Sequence, residues 1–248
     1  MAQIESSAIG TGRKSLGNIT YRHLNGDTIA SQRVTRNNSR TPKQIAQRDS
    51  FATTVNLFKA LKPLVVVGFE KTKPHSPYNL FMKSNKSYMN YIKTKTDFDM
   101  EQPALLNLYE ALSDEGFTGK VVIANGTTTL TSVFNISNDK KLTGTLYFGR
   151  DFQSGDTITV GICHTYQLAN TQFEAIKLCS KTLTEQEVAA LSVKSQFVIN
   201  DTTFPNIDPF GFLPTGYTNV HTVLTAIVVN ETDRSHSFMQ LADGDDGF

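Results

Sequence analysis

The chain has 248 residues, 39% of them apolar, and a mildly negative mean hydropathy, enough for a substantial core in one or two domains. Its longest apolar run, at 64–67, is far short of the roughly 20 residues of a membrane helix, so no membrane insertion is expected. The net charge of +1 hides two opposed halves: residues 1–95 hold 16 Lys+Arg against 4 Asp+Glu, and residues 96–248 hold 8 against 19.

Residues 1–16 are small and polar, with glycines, and read as a flexible or extended arm. They contain no 7–15-residue apolar stretch, so no secretory signal is expected. Residues 18–24 read as a strand, Asn25-Gly26 as a type I′ turn, and 27–34 as the returning strand. An isolated hairpin is marginal in water, so this one must pair or pack elsewhere. A basic linker, 35–40, leads to a helix start: Thr41 caps, Pro42 suits the first helical position and Gln44 completes a capping box. Phe51, Val55, Phe58 and Leu61 fall on one helical face, and Pro63 ends the helix. Residues 64–69 suggest a short strand. Ser76-Pro77 opens a second helix with Tyr78, Phe81, Met82, Tyr88 and Tyr91 as its apolar or amphipathic positions. Lys83, Lys86, Lys93 and Lys95 interleave with the tyrosines, a pattern shared by single-strand nucleic-acid platforms, although a half-buried helix with a solvated lysine face gives the same text. Residues 103–113 fit a helix or a strand.

From Phe117 the text is nearly all β. A second hairpin is expected from 120–124, Asn125-Gly126 and 127–136, then a strand at 141–150. Ile158, Val160 and Ile162 alternate with Thr157, Thr159 and Gly161, as in a half-buried strand. Strands follow at 173–182, 196–200, 220–229 and 235–241. Thr184 and Glu187 form a capping box for one short helix. Residues 204–217 are a Pro- and Gly-rich loop carrying exposed-looking Phe210 and Phe212, and 243–248 an acidic tail. The expected fold is α+β, mainly β: an N-terminal arm and β-hairpin, two helices, then an Ig-like antiparallel β-sandwich. The expected domains are 1–40 (basic arm and hairpin), 41–100 (helical segment) and 101–248 (β-sandwich with acidic tail).

No chemistry-bearing motif stands out. Gly10-Thr11-Gly12-Arg13-Lys14-Ser15 lacks the spacing and the preceding strand of a phosphate loop. His164 adjoins Cys163, but adjacent strand residues face opposite ways and do not chelate one metal. Asp243, Asp245 and Asp246 lack the rest of a calcium loop. There is no G-x-S-x-G, and Glu185/Glu187 serve a helix start. Two cysteines, Cys163 and Cys179, rule out a disulfide scaffold and read as buried free thiols. No catalytic, cofactor or metal residues are assigned, and no enzyme is expected.

Gly17-Asn18-Ile19-Thr20-Tyr21-Arg22, Asn25-Gly26, Arg40-Thr41-Pro42-x-Gln44-x-x-Gln47-Arg48-x-x-Phe51, Leu61-Lys62-Pro63 and Gly68-Phe69 together resemble an uncharacterised domain family common in Bacteroidota, mainly over residues 10–115. The resemblance implies a source in such bacteria or their phages, a β-rich, Ig-like second half, and a strand at 108–113. It implies no activity.

The arm, the hairpin edges and the opposed charges lead to the expectation of a non-enzymatic structural protein acting in multiple copies, as a phage virion component. Its partners would be copies of itself and other structural proteins, in a virion or the cytoplasm. Subunit or nucleic-acid contacts are expected from Arg13, Lys14, Arg33, Arg36, Arg40, Lys43 and Arg48; a nucleic-acid-binding packaging accessory is the alternative. A second alternative is an adhesin that meets glycan or protein through Phe210, Phe212 and Tyr217 of the 204–217 loop.

Overall fold

The computed structural model of the chain describes residues 2–3, 14–16, 18–24, 27–33, 41–71, 75–95, 99, 101–137, 139–205, 207–231 and 233–241. It divides into two compact units, Met1–Ile45 and Ala46–Phe248. It is mixed α and β, with six helices and three antiparallel sheets among the described residues.

The first unit is a four-stranded sheet built from β1 (Ala2–Gln3), β2 (Lys14–Leu16), β3 (Ile19–Leu24) and β4 (Asp27–Gln32), in the order β1-β4-β3-β2. Strands β3 and β4 pair from Ile19↔Gln32 to Leu24↔Asp27, the register of a two-residue hairpin. The expected turn Asn25-Gly26 itself lies outside the described residues. The segment read as an arm is not all arm: β1 pairs with β4 at Ala30 and Ile29, and β2 with β3 at Ile19, Thr20 and Tyr21. The hairpin therefore recruits its own flank before anything else, because both its edges would otherwise present unpaired backbone groups.

The second unit is layered. A five-stranded sheet contains β7 (Thr157–Leu168), β8 (Thr171–Thr182), β10 (Thr218–Val229), β11 (Arg234–His236) and β12 (Gln240–Leu241), with β10 and β7 central. A three-stranded sheet holds β5 (Leu130–Ile136), β6 (Leu142–Phe148) and β9 (Gln196–Ile199) in the order β5-β6-β9. Side chains alternate along β10: Leu224, Ala226 and Val228 join an apolar cluster with Leu142, Leu146 and Ile199 of the smaller sheet, while Val223 and Ile227 join another with the helices. Strand β7 does the same, with Ile158, Val160 and Ile162 on one side and Cys163 on the other. It is thus buried on both faces, not half-buried as its alternation predicts. At one of its polar positions Thr159 pairs hydroxyls with Ser180 at 2.9 Å. Gly161 leaves room for a helix: a Cβ there would lie 2.5 Å from Leu64 Cδ2.

The helices are α1 (Pro42–Ala60), α2 (Lys62–Gly68), α3 (Pro77–Ser84), α4 (Lys86–Thr94), α5 (Ala104–Ser113) and α6 (Glu185–Ala190). The Thr41/Gln44 capping box of α1 is present, each backbone N–H donating to the other's side chain at 3.3 Å. Pro63 opens α2 instead of ending structure, since proline fits a first turn as well as a break. Residues 64–69 are accordingly helical apart from the cap Phe69, not a strand. Residues 104–113 are also helical, against the strand that the resemblance implies; Leu105, Leu108 and Ala111 recur at helical spacing and all are buried. The buried face of α1 is Ser50, Thr53, Thr54 and Leu57; of the expected stripe, Leu61 is buried and Phe58 packs against the core, but Phe51 is 47% exposed. Thr54 satisfies its hydroxyl by donating to the Ser50 carbonyl at 2.8 Å.

The expected second hairpin at 120–136 does not form, and β5 pairs with β6 instead. The preceding segment is extended and packs Val121 and Ile123 against the helices. Gly126 marks a close approach, where a Cβ would meet the Arg234 backbone at 2.3 Å. Asn85, fully buried between α3 and α4, clamps this segment. Its amide donates to the Phe81 and Val122 carbonyls at 2.9 and 2.8 Å and accepts from the Val122 N–H at 2.8 Å. Asn85→Ala leaves both Val122 groups without these bonds and is expected to cost about 2–3 kcal/mol. A urea midpoint unchanged from wild type would show that the clamp stabilises nothing.

Candidate functional site

Two regions carry the residues singled out by the sequence. The first is the N-terminal sheet. β2 follows β3 only as far as Tyr21, so Arg22–Leu24 run on without a strand on their outer edge among the described residues. Among the described residues β1 matches two positions of β4. Ile19 is 43% exposed, and neither apolar cluster includes a residue before Leu57. Of the expected contact residues, Lys14 lies in β2, and Arg33, Lys43 and Arg48 are exposed. Arg13, Arg36 and Arg40 lie outside the described residues, as does the acidic tail.

The lysine–tyrosine platform is not assembled. Tyr88 is fully buried, and burial drives its hydroxyl well above the usual phenol range. Tyr91 donates to Asp114 Oδ2 at 2.5 Å, and Lys95 pairs with the same carboxylate. Those hydrogen bonds hold the Asp114 carboxyl well below its ordinary range.

The second region is the 204–217 loop, anchored by His164, which the sequence suggests only as a neighbour of Cys163. His164, on β7 and fully buried, places Nε2 2.6 Å from the Pro209 carbonyl and Nδ1 2.8 Å from Thr222 Oγ1. A carbonyl only accepts, so Nε2 carries the proton and Nδ1 accepts from the threonine. Burial holds this imidazole down to about 4, against the opposing pull of the Pro209 carbonyl. Phe210 stacks on the His164 ring at 5.2 Å, with Phe212 at 5.3 Å. Both phenylalanines are half-buried, so they fix the loop to the sheet rather than project from it. The signal for this anchor was a polar residue in register with the buried Ile158, Val160 and Ile162.

Beside Phe210 lies an open cleft of about 490 Å³, walled by Asp139, Lys140, Asp201, Pro205, Asp208 and Phe210, among others. Asp208 Oδ1 accepts from the Phe210 and Gly211 N–H groups at 3.0 and 2.8 Å, which sets the turn. Lys141 pairs with Asp201 at 2.9 Å. Lys140 is left-handed (φ 58°) in the β5–β6 connection. Its Nζ stands 5.8 Å from the Phe210 centroid, 5.7 Å from that of Tyr217 and 3.3 Å from the Tyr217 hydroxyl.

No family model matches the chain, and no curated protein matches it. Among the described residues, no three His, Cys, Asp or Glu side chains gather as a metal site requires, and no single helix is long and apolar enough to cross a membrane. Cys163 and Cys179 are buried, not joined in a disulfide, and lie on opposite faces of one sheet.

Proposed function

We propose that the chain is a non-enzymatic structural protein that works in multiple copies, its N-terminal sheet joining neighbouring subunits by strand addition. The carrying observation is that the sheet of Met1–Ile45 is a compact unit without a described apolar core, and among the described residues its edges are only partly covered. Such a sheet gains stability by adding strands or a facing surface, and a second copy of the chain supplies both. The opposed charge of the two halves favours head-to-tail contact between copies. In this reading the two facing sheets of the second unit are a β-sandwich of Ig-like character with helices laid on one side, and the chain is a virion component of a phage of Bacteroidota, as the resemblance implies. Native mass measurement at low and high salt tests the assembly: oligomers that loosen with salt support it, and a salt-insensitive monomer overturns it.

Exposed Arg33, Lys43 and Arg48 in the basic half favour nucleic-acid packaging as the second reading. It requires DNA binding whose affinity falls steeply with salt.

A further inference from the structure

The stripe that the sequence places on the apolar side of α1 is only partly absorbed by the fold. Phe51 is 47% exposed and Val55 is half-buried, and neither belongs to an apolar cluster. Arg48 and Lys59 are exposed, and among the described residues neither forms an ion pair. At about 100° per residue, Arg48, Phe51, Val55 and Lys59 fall within an arc of about 80° on one side of the helix. The buried residues Ser50, Thr53, Thr54 and Leu57 occupy the other side. The outer side of α1 is therefore an apolar pair with a cation at each end, and the described residues leave it partly open.

We infer that this stripe is the docking site for the acidic tail, residues 243–248, of a second copy of the chain. This contact, which rests on the multi-copy reading, gives that reading two named surfaces. Charge and apolar character both match. The tail holds Asp243, Asp245, Asp246 and Phe248 and no basic residue, so carboxylates meet cations and a ring meets Phe51 and Val55. The lengths match as well. Asp243 to Phe248 spans about 16 Å at about 3.3 Å per extended residue, and Arg48 to Lys59 spans about 16 Å at about 1.5 Å per helical residue. A second α1 fits poorly, because antiparallel pairing lays Arg48 against Lys59 and parallel pairing lays each cation on itself. A nucleic acid fits poorly too. The stripe offers two cations with apolar side chains between them, whereas a phosphate backbone is held by several cations along its length. The helix and the tail are different surfaces, so the contact is heterologous and repeats from copy to copy.

Charge exchange between full-length chains tests this, read by sedimentation equilibrium at low salt. One chain carries Arg48→Glu and Lys59→Glu, and the other carries Asp243→Lys, Asp245→Lys and Asp246→Lys. Each alone sets like charges against each other and is expected to self-associate about tenfold more weakly than wild type. An equimolar mixture of the two restores opposite charges across both contacts and is expected to associate within about twofold of wild type. Phe51→Ser is expected to weaken association without changing its salt dependence, since the position is exposed and uncharged. Wild type that self-associates while both charge-reversed chains match it overturns this contact and leaves the assembly reading standing. Reversed chains that weaken but do not recover on mixing also overturn it, because only a contact between copies can be rescued by a second chain. A monomeric wild type overturns the assembly reading and this contact together. Binding of a dT12 oligonucleotide that Arg48→Glu and Lys59→Glu remove, with self-association unchanged, reassigns the stripe to nucleic acid and overturns the tail as its occupant.

Discussion

Removal of residues 1–40 is expected to abolish self-association while leaving a cooperative melt and the far-UV β signal of the remaining chain. Ordering a backbone costs about 1–2 kcal/mol per residue, while a fully buried large apolar side chain returns about 1.5–3 kcal/mol. In the N-terminal sheet Thr28 is the most buried described side chain, and Ile19 is 43% exposed. The sheet thus offsets little of its own ordering cost, and partner strands are the natural source of the rest. The two apolar clusters of the second unit begin at Leu57, so the deletion removes no described core side chain. The α1 cap at Thr41 also survives. Size-exclusion chromatography with light scattering, together with calorimetry, reads both halves of the result. A truncated chain that no longer folds would assign the sheet to the domain's own stability and overturn the assembly proposal. A truncated chain that still self-associates would place the contacts elsewhere.

The second large effect is acid sensitivity from two histidines. Burial lowers His164 and His236 to about 4 from their ordinary 6.5. His236 Nε2 is buried without a hydrogen-bond partner among the described residues. Both folded values lie below the ordinary one, so the unfolded chain binds more protons between pH 6.5 and pH 4. Stability is full above pH 6.5, falls through that window and levels off, as far as these groups are concerned, below pH 4. At 1.36 kcal/mol per pH unit each histidine contributes about 3 kcal/mol of loss. Urea titrations from pH 7.5 to pH 4 are expected to show a steep decline, roughly halved in His164→Gln. An NMR-titrated pKa of 6 or above for His164 would refute this account.

The parts legible in the sequence were those set by local rules. The capping boxes at Thr41/Gln44 and Thr184/Glu187 form as written, because a cap needs only neighbours three residues apart. The hairpin register from Ile19 to Gln32 follows from its two-residue loop. The failures came where distant packing decides. Residues 64–69 are too short an apolar run to separate helix from strand, and the helix forms where Gly161 leaves a hollow for Leu64. Thr157, Thr159 and Gly161 resemble a solvent face, yet helices cover that side of β7. Asn125-Gly126 resembles a turn, yet Gly126 is required by the backbone of Arg234, more than a hundred residues away. The phenylalanines of the 204–217 loop stand out in the sequence, but their packing on His164 comes from a strand some 45 residues away, which only the fold brings to them.

The two thiols sit on opposite sides of a single sheet, and each is a built-in clock. Cys163 belongs to the helix-side cluster and Cys179 to the cluster shared with the smaller sheet. Burial raises both thiols, Cys163 to about 12, so neither reacts until its layer parts. Alkylation rates measured site by site by mass spectrometry would time the lifting of the helices separately from the separation of the two sheets. If the helical layer detaches first, Cys163 is labelled well before Cys179, and equal rates at every denaturant concentration would mean that the second unit opens only as a whole.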